Sequence, residues 1–171
     1  ALGFMAVNLP GYAKEFQPAA AHLWHMSSSL QVRYMPPGSP AYAAGLQTGD
    51  ILLSIGGRPA PSGEGAMKEW PELIKTVLKV GEPVAITVRR GEIEKQVHAT
   101  PVSACNFTVL AITGDSVNAA ANGATVLVTL GMMRFVENDN EIALVLAHES
   151  AHKAMKHIEA RQRNSGLGSI L

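Results

Sequence analysis

The sequence predicts an α+β chain in two parts: short strands interleaved with two short helices up to about residue 102, then a β-hairpin and one long helix. Three observations carry this. Val84, Ile86 and Val88 alternate as a half-buried strand requires. Leu73, Ile74, Val77 and Leu78 repeat at helical spacing and form one apolar stripe. From Asn138 onward, a capping signal leads into a long apolar helix.

Length and composition bound the rest. The chain's 171 residues suffice for one generous domain or two small ones. Apolar residues make up 47% and charged residues 16%, with Lys+Arg and Asp+Glu balanced at 14 each. That excludes a disordered chain and an electrostatic nucleic-acid binder. The single cysteine, Cys105, excludes an internal disulfide framework and a multi-cysteine metal site, and it reads as an ordinary buried thiol. Both ends, Ala1 and the glycine-rich "SGLGSIL", read as cut from a longer protein whose signal peptide or anchor would lie outside. No run of about eighteen apolar residues occurs, so this piece is expected to be soluble by itself.

In order, "GSPAYAAGL" is a short helix with Ser39 as N-cap, Pro40 at the first helical position and Gly45 past the end. "TGDILLSIGG" is a turn into a buried strand over 51–55. "WPELIKTVLKVG" starts a second helix at Pro71 and stops it at Gly81. "VAITVRRGEIEKQVHAT" is a hairpin turning at Arg90 and Gly91, with Ile93, Val97 and Ala99 inward on the return and His98 facing solvent. His22 and His25, at helical spacing in "AAAHLWHM", read as a surface or half-buried pair and not as a metal site.

This order of elements, with "PPGSPAYAAGLQTGDILLSIGGRPAP" at its centre, resembles a bacterial PDZ domain of the HtrA-like type, a small β-barrel or sandwich with two helices, over most of residues 1–102. The opening "ALGF" is similar to the GLGF carboxylate-binding loop, with Ala1 in place of the first glycine. The resemblance implies a groove in which an extended peptide adds as a further strand. It also implies that backbone amides around Leu2, Gly3 and Phe4 hold a terminal carboxylate as an anion nest. Read from the residues alone, Leu2 and Phe4 serve equally well as core residues of a first strand.

Beyond residue 102, two strand-like runs flank Asn122-Gly123, a strong hairpin signal, with Val126 and Val128 alternating against Leu127 and Thr129 on the return. Asn138 and Glu141 fit a capping box, and Asp139 adds negative charge at the positive end of the helix. The run 142–147 is apolar on every side, which predicts a buried helix carrying its next turn inward.

That next turn is "HESAH". Four residues rotate a helix by about 400°, so His152 returns to about 40° from His148 and lies about 6 Å further along. Two imidazoles on one face suit a single zinc ion. In such HExxH patterns the intervening glutamate, here Glu149, acts as general base on water and does not bind the ion.

With "SVNAAANGATVLVTLGMMRFVENDNEIALVLAHESAHKAMKHIEARQ", the chain resembles the gluzincin metallopeptidases of the HtpX and CaaX prenyl protease type. Asn118, Gly123, Gly131, the run 145–148, Glu149, His152 and His157 carry the match. The resemblance implies zinc as cofactor, His148 and His152 as ligands and Glu149 as catalytic base, with His157 recurring as a non-ligand. It implies a PDZ domain over 1–102 and an incomplete catalytic domain over 103–171, because the family's third ligand is a glutamate on a later helix. It further implies protein or peptide substrates, and a bacterial envelope location that is periplasmic or membrane-associated. Ser150 stands where a bulkier apolar residue is common. Glu141 and Glu159 each lie seven residues from the nearer histidine, about 10.5 Å along the axis, too far to share its tetrahedron. Asp115, Glu137 and a histidine of the first domain remain open as further donors, with no sequence argument selecting one. The apolar helix without a complete covering layer predicts exposed hydrophobic surface, and with it dimerisation or segment exchange.

Overall fold

The computed structural model describes residues 1–104, 108–122 and 125–154, with the backbone alone for 122 and 152–154. Cys105, Gly123, His157 and Glu159 lie outside the described residues. Two compact units divide the chain, Ala1–Ala104 and Cys105–Leu171.

In the first unit the elements run β1 (Met5–Val7), α1 (Gln17–Trp24), β2 (Gln31–Tyr34), α2 (Pro40–Ala43), β3 (Ile51–Ile55), β4 (Arg58–Pro59), α3 (Ala66–Val77), β5 (Val84–Arg90) and β6 (Ile93–Ala99). The strands form one antiparallel sheet in the order β1-β2-β3-β5-β6, with β4 paired to β3. The sheet stays open, so the fold is mixed helix and sheet without a closed barrel. Leu30, Val32, Leu46, Ile55, Ile86 and Val88 fill its centre at no more than 2% exposure. Each such side chain contributes about 1.5–3 kcal/mol relative to an exposed one.

Local chemistry explains α2: Ser39 Oγ accepts the Tyr42 amide at 3.2 Å, and Pro40 sits at the first helical position. The α3 stripe packs on the core through Leu73, Ile74, Val77 and Leu78, yet the helix starts at Ala66 and not at Pro71. Pro71 falls in the second turn, where its missing N–H withdraws a bond only from the Met67 carbonyl, and Met67 is itself exposed. At the β5–β6 hairpin Arg90 pairs with Ile93, so the loop is Gly91-Glu92. Ile93, expected inward, is 61% exposed, because this end of the hairpin runs past the core, while Val97 is half-buried and Ala99 buried. His98, His22 and His25 are all exposed. The segment carrying the last two forms α1, a helix the sequence pattern did not signal.

Several polar residues of this unit are buried, Asn8 and Asp50 fully, and Asp50 is the charged one. Asp50, fully buried, receives Arg90 through both oxygens at 2.7 Å and also accepts the Gln47 amide at 2.9 Å. Arg90 Nη2 donates as well to the Gly45 carbonyl at 2.8 Å. Hydrogen bonding to Asp50, opposed by desolvation and aided by charge, raises the Arg90 pKa above its ordinary value.

The second unit contains β7 (Thr108–Ile112), β8 (Ala119–Asn122), β9 (Thr125–Thr129), α4 (Leu130–Phe135) and α5 (Asp139–Ala154). Strand order is β7-β9-β8: β9 pairs antiparallel with β8, as the hairpin signal requires, and parallel with β7. Asn122 pairs with Thr125, so Asn122 belongs to the strand and not to the turn centre. Val126 and Val128 are buried at 1% and 3%.

Asn138 Oδ1 accepts the amides of Asn140 and Glu141 at 3.0 and 3.3 Å, and the Glu141 carboxylate accepts the Glu137 amide at 2.9 Å, capping α5. The helix rests on β8 and β9 by one face. Its other face is not buried, contrary to the all-round apolar pattern: Leu144 is 73% exposed. Met132 and Met133 of α4 border the same helix across open clefts and leave Leu144 uncovered. Exposed apolar surface, as expected, includes Leu144, Phe135, Met133 and Val117.

Candidate functional site

The peptide groove begins with the loop before β1. Leu2 is 4% exposed and belongs to the core, and Phe4 packs against that core, so their side chains are structural. What the loop offers to a ligand is backbone. The Leu2 carbonyl accepts the Ala41 amide at 3.0 Å, the Ala1 carbonyl accepts the Val102 amide at 2.9 Å, and the Ala1 ammonium donates to the Val102 carbonyl. These bonds pin the loop without using the amides of Leu2, Gly3 or Phe4 toward any backbone acceptor among the described residues.

Gly3 has φ +75°, and a Cβ there would stand 2.5 Å from Ser39 Cβ, so only glycine turns the chain at this point. β1 is an edge strand, and Phe4 meets Trp70 of α3 with ring centroids 6.2 Å apart. An open strand edge facing a helix is the arrangement that accepts an added strand.

In the second unit, His148 and Glu149 line a cleft of about 510 Å³ with Leu144 and Val145 of the same helix. Val117, Asn118 and Ala119 form the facing wall, and Met132 of α4 contributes to the lining. His148 is exposed and Glu149 half-buried. Because α5 runs unbroken over Asp139–Ala154, the backbone carries His148 and His152 at i and i+4 of one helix.

Among the described residues, no group of three or more His, Cys, Asp or Glu side chains is placed to hold a metal ion. Of the open candidates, Asp115 pairs with Arg134 at 2.8 Å on the surface, while Glu137 donates its backbone amide to the Glu141 carboxylate at the start of α5. Of the histidines at the expected spacing, His148 has a described side chain and His152 a described backbone.

Sequence reasoning missed what holds the facing wall. Thr129 Oγ1 bonds the segment before β8, and Gly131 lets that segment lie against α4. The signal available was "TLG" at the junction of β9 and α4.

Residues 31–90 match the PDZ domain family model and residues 88–171 match the model of peptidase family M48. A Synechocystis sp. protein, HhoB, provisionally described as a serine protease, is 45% identical over 56 residues, covering 33% of this chain and 12% of its own length. Among solved structures, the HtrA3 PDZ domain bound to a phage-derived ligand aligns at 24% identity and TM-score 0.43, over 59% of this chain and 84% of that one. The HtrA-type protease AlgW with decapeptide aligns at 19% identity and TM-score 0.41, over 58% of this chain and 27% of AlgW. The chain thus spans a small fraction of HhoB and about a quarter of AlgW. A match to the PDZ domain family is followed along the chain by a match to peptidase family M48.

Proposed function

We propose that this chain is part of a zinc-dependent endopeptidase of a bacterial cell envelope, periplasmic or membrane-associated, with a PDZ domain over 1–102 and a catalytic portion over 103–171. The supporting observation is Glu149 between His148 and His152 on one unbroken helix, lining a cleft opposite the edge strand β8. His148 and His152 would hold the ion, with a third ligand from outside the described residues. Zinc so held supplies Lewis acidity and lowers the pKa of water toward neutrality.

The chain's own residues do the rest. β8, with one edge unpaired, binds an extended substrate backbone and orients its carbonyl toward the helix. The Glu149 carboxylate takes the proton of the attacking water, holds it, and delivers it to the leaving amine. The PDZ groove captures a peptide segment or C-terminus through the amides of Leu2, Gly3 and Phe4, raising the local concentration of substrate.

Calorimetry of the chelator-treated chain tests the first part: one zinc per chain is expected, lost in His148→Ala. In a full-length version, Glu149→Gln is expected to retain zinc and abolish hydrolysis of an unfolded casein, and undiminished turnover would refute the assigned role.

A second reading, a peptide-binding module with a non-catalytic HESAH helix, is favoured by the lack of a three-donor group among the described residues. It predicts peptide binding without zinc. Peptides with free and amidated C-termini distinguish the carboxylate nest, since equal binding of both removes it.

A further inference from the structure

We propose that Thr129 is the positioning residue of the cleft beside His148 and Glu149, fixing the wall against which a substrate strand lies. The substrate role rests on the peptidase reading above; the fixing itself does not.

Thr129 ends β9, caps α4 and is 7% exposed. A hydroxyl has one proton and two lone pairs, and here each finds a partner. Oγ1 donates to the Ser116 carbonyl at 2.6 Å and accepts the amides of Asn118 at 3.2 Å and Met132 at 3.1 Å. The Asn118 carbonyl, 2.9 Å from the same oxygen, already receives the Thr129 amide at 3.1 Å. An N-cap needs only the Met132 bond. The others reach out to the segment that enters β8.

Gly131 completes the attachment. A Cβ there would stand 2.3 Å from the Asp115 carbonyl oxygen and 2.4 Å from that of Ser116, and the Gly131 amide donates to the Gly114 carbonyl at 2.9 Å. The strand entry is therefore laid directly on the start of α4 and bonded there by one side chain. Val117 and Asn118, which face Glu149 across the cleft, lie within this fixed segment. Their placement sets where an added strand begins to pair, so releasing them weakens substrate binding more than it slows the proton transfers at Glu149.

Thr129→Val keeps the shape and removes every hydroxyl bond, whereas Thr129→Ser keeps the oxygen. In the 171-residue chain, hydrogen exchange over 115–119 is expected to quicken about tenfold in the valine variant, with β9 and α5 unchanged and serine restoring protection. In a full-length version that supplies the third zinc ligand, with unfolded casein as substrate, valine is expected to raise KM about tenfold while kcat stays within about threefold, again rescued by serine. Unchanged exchange, failure of serine to rescue, or a fall in kcat at constant KM would each overturn the proposal. Absence of hydrolysis by the full-length version would sink the peptidase reading and the substrate role with it, while the exchange comparison in the 171-residue chain would still decide whether Thr129 fixes the segment.

Discussion

Ile86 and Leu144 are alike in size and hydropathy, but Ile86 is fully buried at the centre of the first unit and Leu144 is 73% exposed on α5. Around Ile86 the sheet is covered by α3 and by the loops that carry Leu30 and Leu46, so each apolar side chain meets others. Around Leu144 the described residues leave an open cleft, with Val117, Asn118 and Ala119 opposite and no packed layer against the side chain. An apolar residue is buried only where a second layer is within reach. Apolar character alone tells that burial is favourable, not which element provides it.

The largest effect that tests this comparison lies at a polar residue. Asp50 is held in the first unit's interior by Arg90, and truncating one partner strands the other, at a cost of about 3–5 kcal/mol. Asp50→Ala is expected to lower the unfolding free energy of the first unit, read from denaturant titration, by that amount. A loss under about 1 kcal/mol would mean that the pair behaves as a surface pair. On the Arg90 side, a raised folded-state pKa gives stability that is complete below the unfolded value and lost only as pH climbs through the raised one. Titration through the neutral range is thus expected to leave this contribution flat.

A matched pair of truncations comes next. Ile86→Ala is expected to cost about 2–5 kcal/mol through lost transfer energy and a cavity, and Leu144→Ala to stay within about 0.5 kcal/mol. Equal costs would show that Leu144 is covered in solution. A second copy of the chain is the proposed cover, so Leu144→Glu is expected to lower both the sedimentation-derived mass and the binding of a hydrophobic dye. A monomeric parent chain with no dye-binding surface would remove that idea.

The same contrast explains what was legible in the sequence. Ser39, Pro40 and the alternation of Val84, Ile86 and Val88 encode short-range structure, and the observed elements follow them. α1 carries no comparable stripe, and β7 pairs in parallel with β9, a partner that no turn signal announces. Pro71 misled because its commonest helical position is the first, whereas here only one exposed carbonyl lost its donor. At the site, the spacing of His148, Glu149 and His152 is a property of one helix and was readable directly. The part played by Thr129 was not, since its partners Ser116 and Asn118 lie thirteen and eleven residues upstream and are joined to it only by folding.

The smallest effect concerns α1, the element with no sequence signal. Arg33 of β2 lies over the Trp24 ring at 4.2 Å, Gln31 donates to the Trp24 carbonyl at 3.2 Å, and Tyr12 meets the same indole at 6.1 Å. Trp24 is 41% exposed, so the cation–π contact is partly solvated and worth about 0.5–1 kcal/mol. Arg33→Gln is expected to cost the first unit that much and to quicken amide exchange within α1 while the β3–β5 amides stay protected. Ala20 is the buried residue of α1 and stands outside the cluster around Ile86, so loosening of the helix need not reach that cluster. A loss approaching that of Asp50→Ala would place α1 within the cooperative core, and the division between buried and exposed apolar residues would then run differently from the one drawn between Ile86 and Leu144.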